Sequence, residues 1–256
     1  MTPHDRSEKW KKIYKQLGAD PNATKQLDEA LDQSIEAYLA PIRDGIIRVH
    51  RLVALATDRL MLERSLNEEN KEPESIEMMV RAAEQEILRA AVVQTHAHLE
   101  EFLGNISALL LSNVDQNELA GYHIPLGRLV RCKDRPVCEI IPELVAEQFQ
   151  HHTFNGASEI RSLITALKLD CQNHRSDLAA IDQMIRRRHD IVHRADRLKV
   201  PASDTRMLQA IDEEQLLGWL TSTISFTVRL GRQAAKKITT PDEVAKSAGI
   251  LLPVSD

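Results

Sequence analysis

The sequence predicts an all-α protein, and three observations carry that expectation. Ala, Leu, Ile, Arg and Glu dominate, while Gly numbers only 9 and aromatic residues make up only 4% of 256 positions. That balance favours helices and disfavours a β sandwich or barrel. Apolar residues recur at helical spacing over long stretches, and no stretch alternates as a half-buried strand would. With 43% hydrophobic and 28% charged residues, the chain has the composition of a globular protein able to bury most of its apolar surface, in one large or two small domains.

The elements follow in order. Trp10, Ile13, Tyr14 and Leu17 suit a short helix stopped by Gly18 and Pro21. Asn22 or Thr24 then caps a long helix carrying Leu27, Leu31, Ile35, Tyr38, Leu39 and Ile42, kinked at Pro41 and Gly45 and resuming through Ile46, Val53, Leu60 and Leu62. The polar stretch 67–74 reads as a connection. Ser75 and Met78 open the most regular helix, about 35 residues long by its spacing. Its stripe of Leu88, Val92, Thr95, Leu99, Phe102, Ile106 and Leu109 requires packing against several helices or a second copy. Residues 114–138 lose the period and hold Gly121, Pro125, Gly127 and Pro136, which predicts a long loop. Shorter helices over 139–150 and 157–169, a helix over 176–195, a turn at 201–204, a long helix to Ile238 and a small last helix from Pro241 complete the chain. The expected division is a helical N-terminal extension (1–74), a helical domain (75–238) and a C-terminal tail (239–256).

Several classes are disfavoured. A formal net charge of −5 does not suit a general nucleic-acid coat, which would be basic, so any contact with RNA is expected to be local. Cys132, Cys138 and Cys171 are odd in number and form no CxxC pair, which speaks against a disulfide framework or a structural zinc knuckle. The polar start lacks the apolar centre of a signal peptide, and runs such as 106–111 are too short to span a bilayer. The expectation is a cytoplasmic protein with no membrane partner.

Potential chemistry concentrates in Arg186-Arg187-Arg188-His189-Asp190-Ile191-Val192-His193-Arg194-Ala195-Asp196. Leu178, Ile181, Ile185, Arg188 and Val192 follow one buried helical stripe, so Arg188 occupies a slot suited to Leu. A guanidinium there must face an anion, an interface or a ligand, unless a core carboxylate simply neutralises it. His193 follows five positions on. At about 100° per residue the two side chains stand about 140° apart on a continuous helix. A shared cleft therefore requires a second, antiparallel copy of the helix or an unwound helix end.

His189 and His193 are spaced as zinc ligands are, but His-Asp-Ile-Val-His has no Glu where a zincin needs it, and no third ligand is apparent; no metal is expected. His189 better suits orienting a phosphate or bonding Asp190 or Asp196. Asp190 stands four residues from both Arg186 and Arg194, as in a surface ion-pair row. His96, His98, Glu100 and Glu101 read as a solvated flank beside Leu99 and Phe102, with completion of the site as the alternative. Arg128, Arg131, Lys133 and Arg135, near Tyr122 and His123, suit tracking a nucleic-acid backbone and stacking a base, or form an ordinary solvated face.

The stretch Arg188-His189-Asp190-Ile191-Val192-His193-Arg194 ends a helix. An amphipathic helix bearing Leu99-Glu100-Glu101-Phe102-Leu103 precedes it, and a helix over 211–228 with Trp219, Leu220 and Phe226 follows. In this the chain resembles the HEPN superfamily, and within it the RiboL-PSP-HEPN branch, over about residues 76–235. The resemblance implies a HEPN-like helical bundle and a homodimer that pairs two motif helices into one composite site. It further implies a metal-independent endoribonuclease without cofactor, leaving 2′,3′-cyclic phosphate and 5′-hydroxyl ends. Arg188 would clamp the phosphate and His193 would serve as acid and base, with His189 beside it; by their charge, Arg187, Arg128 and Arg131 are the candidate RNA contacts. By the same analogy the protein is a toxin-like defence effector restrained by an antitoxin or regulatory partner. Two alternatives stand: a non-catalytic dimer of this fold that binds nucleic acid or protein, and a purely structural helical protein.

Overall fold

The computed structural model describes residues 21–67, 73–112, 127, 130, 135–136, 140, 154–194 and 209–249. Among these, six α-helices and one short 3-10 turn occur, and no strand. They are α1 (Pro21–Asn67), α2 (Pro73–Ser112), α3 (Ala157–Ala166), the 3-10 turn Gln172–His174, α4 (Arg175–Arg194), α5 (Glu213–Ile238) and α6 (Pro241–Ser247). The all-α expectation holds. The short helix expected around Trp10 and the turn at 201–204 lie outside the described residues, as does nearly all of the expected loop over 114–138. Gly127 and Val130, within that stretch, are helical.

One hydrophobic core joins the helices. Along α1, Leu27, Leu31, Ile35, Leu39, Ile42, Ile46, Val49 and Val53 are buried at helical spacing and meet Leu88, Val92, Leu99, Phe102, Leu103 and Ile106 of α2. Helix α5 lies against α1, α2 and α4 and contributes Trp219, Leu220, Phe226 and Leu230 to the same cluster. The N-terminal helix therefore enlarges the core that the later helices share.

Gly231 permits the close approach of α5 to α1, since a Cβ there would lie 2.9 Å from Leu39 Cδ2. Arg232 fixes the same crossing from its flank, donating through Nε and a terminal nitrogen to the two oxygens of Asp32, each at 2.7 Å. Such a planar fork matches a carboxylate in both distance and direction.

Helix α1 runs without interruption across Pro41 and Gly45. Pro41 and the residue one turn before it, Ala37, are both exposed, so the hydrogen bond that proline removes lies on the solvent side. Gly45 instead marks a close helix crossing, because a Cβ there would stand 2.6 Å from the His98 ring of α2. Beyond Val53 and before Leu88 the α1–α2 hairpin leaves the core. Leu55, Met61 and Leu62 are exposed there with Met78 and Met79, so the apolar stripe expected to continue to Leu62 ends earlier.

The C-terminal end is ordered by local chemistry. The Thr240 hydroxyl accepts from the Glu243 backbone N–H while the Glu243 carboxylate accepts from the Thr240 backbone N–H, and Pro241 opens α6. This reciprocal capping satisfies two donors that a helix start leaves bare.

Candidate functional site on helix α4

Helix α4 is held at three levels. At its start, Asp177 accepts from Arg229 of α5, where a carboxylate also complements the positive end of the helix. The adjoining His174 is fully buried, packs edge-on against Phe226 with ring centroids 5.3 Å apart, and faces Gln233 through Nε2 at 2.9 Å. The Gln233 amide is oriented by Asp170: its oxygen accepts from the Asp170 N–H and its nitrogen donates to the Asp170 carbonyl. Gln233 therefore donates to His174 Nε2, which places the imidazole proton on Nδ1, a buried atom with no hydrogen-bond partner. Burial, with the nearby Arg229 charge, pushes the His174 pKa below its ordinary value, against smaller opposing effects of Asp177 and Asp170.

In the middle of α4, Leu178, Ile181, Met184 and Ile185 are all buried. On the flank, Asp182 accepts through Oδ1 from the Ala157 backbone N–H at 2.9 Å and pairs through Oδ2 with Arg186 at 2.7 Å. Gly156, the residue before α3, offers no side-chain cap, so α4 supplies the acceptor that α3 lacks.

Near its end α4 is crossed by residues 209–211, and this changes the expected register. Arg187, expected to contact RNA, is only 5% exposed. It donates to the Gln209 side-chain oxygen at 2.8 Å and also to the Gln209 carbonyl. Arg89 of α2, itself buried, donates to the same carbonyl at 3.4 Å and to Glu86 at 2.9 Å. Gln85 brackets Ile211 by accepting from its N–H and donating to its carbonyl, each at 2.8 Å. Arg188, expected in the Leu-like slot, is half-buried, and Val192 is 46% exposed. The inward face at this end thus runs through Met184, Arg187 and Ile191, because the crossing segment lies on that side.

The Arg188 Nε atom is buried without a hydrogen-bond partner among the described residues. His189 and His193 are both exposed, with ring centroids 4.7 Å apart. Because α4 stays helical through Arg194, one copy does not bring Arg188 and His193 onto a common face. Arg128 and Arg131 lie outside the described residues.

The second histidine cluster is corrected in part. His96 is 1% exposed, not solvated, and its Nε2 meets the Phe154 carbonyl at 3.0 Å. The Glu100 carboxylate accepts from the Phe154 N–H at 3.0 Å and lies 3.3 Å from His96 Nδ1. These two residues anchor the chain as it approaches α3. Glu101, 57% exposed, does sit on the outer flank, 3.7 Å from His98.

Sequence reasoning did not find Gln85, Arg89, His174, Asp182 or Gln209. Arg89 carried a signal, standing next to Leu88 beside the apolar stripe of α2; the others carried none.

No curated protein and no solved structure matches the chain. The sequence model of the RiboL-PSP-HEPN family matches residues 59–226, well over half of the chain. The match spans the last turns of α1, all of α2, α3 and α4, and α5 as far as Phe226. It thus covers the hairpin, the Arg188-x4-His193 stretch and the helix that supports it in one run, and the chain belongs to the RiboL-PSP-HEPN family.

Proposed function

We propose that the protein is a metal-independent endoribonuclease acting in the cytoplasm as a homodimer, with Arg188 and His193 of two α4 helices in one composite site. The observation that carries this reading is the buried, unpartnered Arg188 Nε on the same C-terminal turns of α4 as two exposed imidazoles. Membership of a HEPN family supports it further. A guanidinium presents a planar set of donors to the charge developing on a phosphorane. An imidazole takes the proton of the ribose 2′-hydroxyl as that oxygen bonds to phosphorus, and an imidazolium returns a proton to the departing 5′-oxygen. The P–O5′ bond breaks, leaving a 2′,3′-cyclic phosphate and a 5′-hydroxyl. His189 orients the phosphate, Arg128 and Arg131 follow the RNA backbone, and Arg187 supports the helix from within. In the cell this activity serves a toxin-like defence effector held in check by a partner.

The test is incubation of purified protein with total RNA in EDTA. Cleavage with cyclic-phosphate ends, lost in Arg188→Ala and His193→Ala, supports the reading. Mixing these two variants is expected to give activity that departs from simple averaging, as shared sites require. Abolition by EDTA, or full activity in either variant, replaces it.

A second reading, a non-catalytic binding module of the same fold, is favoured by the exposed Leu55, Met61, Leu62, Met78 and Met79 at the α1–α2 end, since clustered apolar exposure often marks a contact surface. Under this reading RNA stays intact, and polar substitution at Leu55 and Leu62 abolishes the function.

A further inference from the structure

We propose that His189 and His193 form a chelating site for a divalent late transition metal ion, of the zinc, nickel or copper class, and that its occupancy switches the ribonuclease off. The regulatory half rests on the proposed ribonuclease reading; the binding half stands on geometry alone.

The two imidazoles lie one turn apart on α4, are both exposed, and have centroids 4.7 Å apart. With metal–nitrogen bonds of about 2.0–2.1 Å and ring centres about 1.2 Å further out, two imidazoles at a right angle on one ion have centroids about 4.6 Å apart. The separation already present is therefore that of a cis pair on a single ion. Exposed side chains reach the exact orientation by χ rotation at small cost, while the continuous helix holds the two Cα atoms at the required spacing.

Among the described residues no group of three or more His, Cys, Asp or Glu side chains is placed to hold an ion. The protein supplies two ligands and water the rest, which suits a reversible site and not the closed four-ligand site of a structural zinc. Imidazole donors and a right-angle bite favour copper over nickel and zinc. A bound ion occupies the ring-nitrogen lone pair that His193 needs to take a proton, so the same coordination that fills the site removes the base.

The test uses untagged full-length protein titrated calorimetrically with Cu²⁺, Ni²⁺ and Zn²⁺ in a non-coordinating buffer. One ion per chain is expected, with copper tightest. Both His189→Ala and His193→Ala are expected to weaken binding by about tenfold or more, because each leaves a single imidazole. His50→Ala, which removes an exposed histidine of α1, should bind as wild type does. Broadening of the His189 and His193 ring resonances by substoichiometric Cu²⁺ locates the ion independently. Single variants that bind as well as wild type overturn the site. On RNA, saturating Zn²⁺ is expected to stop cleavage and EDTA to restore it. Cleavage that continues at saturation overturns the switch and leaves the ribonuclease reading intact. Ion binding by a protein that never cuts RNA supports the chelating site and overturns the ribonuclease reading instead.

Discussion

Arg187 and Gln209 meet twice: the guanidinium donates both to the Gln209 side-chain oxygen and to its carbonyl. This joins the end of α4 to the segment that leads into α5, and it makes the neighbours Arg187 and Arg188 separable by experiment. Arg187→Ala strips two charge-assisted bonds from a buried site, where such bonds contribute about 1.5–3 kcal/mol each. A loss of about 3 kcal/mol or more in urea unfolding is expected; an unchanged midpoint refutes the structural role.

Arg188→Ala should behave in the opposite way. It removes a side chain whose Nε has no partner among the described residues, so unfolding shifts little. RNA cleavage falls by about 10²–10⁴-fold, the range expected when a catalytic group is lost. Arg188→Lys is also expected to be poor, because an ammonium lacks the planar fork. Retained cleavage in Arg188→Ala removes this residue from the mechanism.

Asp182→Ala uncovers the first turn of α3. Loss of such a cap costs about 1 kcal/mol, read as a lower unfolding midpoint. Asp182→Asn keeps an acceptor for the Ala157 N–H and gives up only the pairing with Arg186, a side chain 77% exposed, so its loss is smaller. Equal losses in the two variants would show that the charge, not the cap, matters.

Acid should loosen the contact between α4 and α5. The folded protein binds a proton at His174 less readily than the unfolded chain does, since burial and Arg229 oppose the charge. The stabilisation is therefore complete above the ordinary imidazole pKa of 6.5 and declines as pH falls below it toward the lowered folded value. Urea unfolding at intervals between about pH 5 and 7.5 is expected to show this decline, with a flatter profile in His174→Gln. An identical slope in that variant assigns the acid sensitivity to other groups.

Helical periodicity made most of the fold legible. The stripes from Leu27 to Val53 and from Leu88 to Ile106 needed only a 3.6-residue period, and the small last helix only a proline. What period does not resolve is which of two adjacent positions near the edge of a stripe turns inward. Arg187 and Arg188 are such a pair, and the choice between them is made by Gln209, 22 positions further along the chain. His96 looked solvated for the same reason, since the carbonyl that covers it belongs to Phe154, 58 positions away. The Arg-x4-His spacing was plain to read, but the inner supports of its helix come from distant segments that leave no local trace.

The shared core also separates ancestry from foldability. The family match begins at residue 59, whereas the buried side chains of α1 run from Leu27 to Val53. A fragment cut at residue 59 would keep every residue of the Arg188-x4-His193 motif and discard one wall of the molecule, baring Val92, Leu99 and Phe102 of α2 and parting Arg232 from Asp32. Such a fragment is expected to aggregate on expression. An inactive truncation would then report a missing wall and say nothing about the chemistry of the motif.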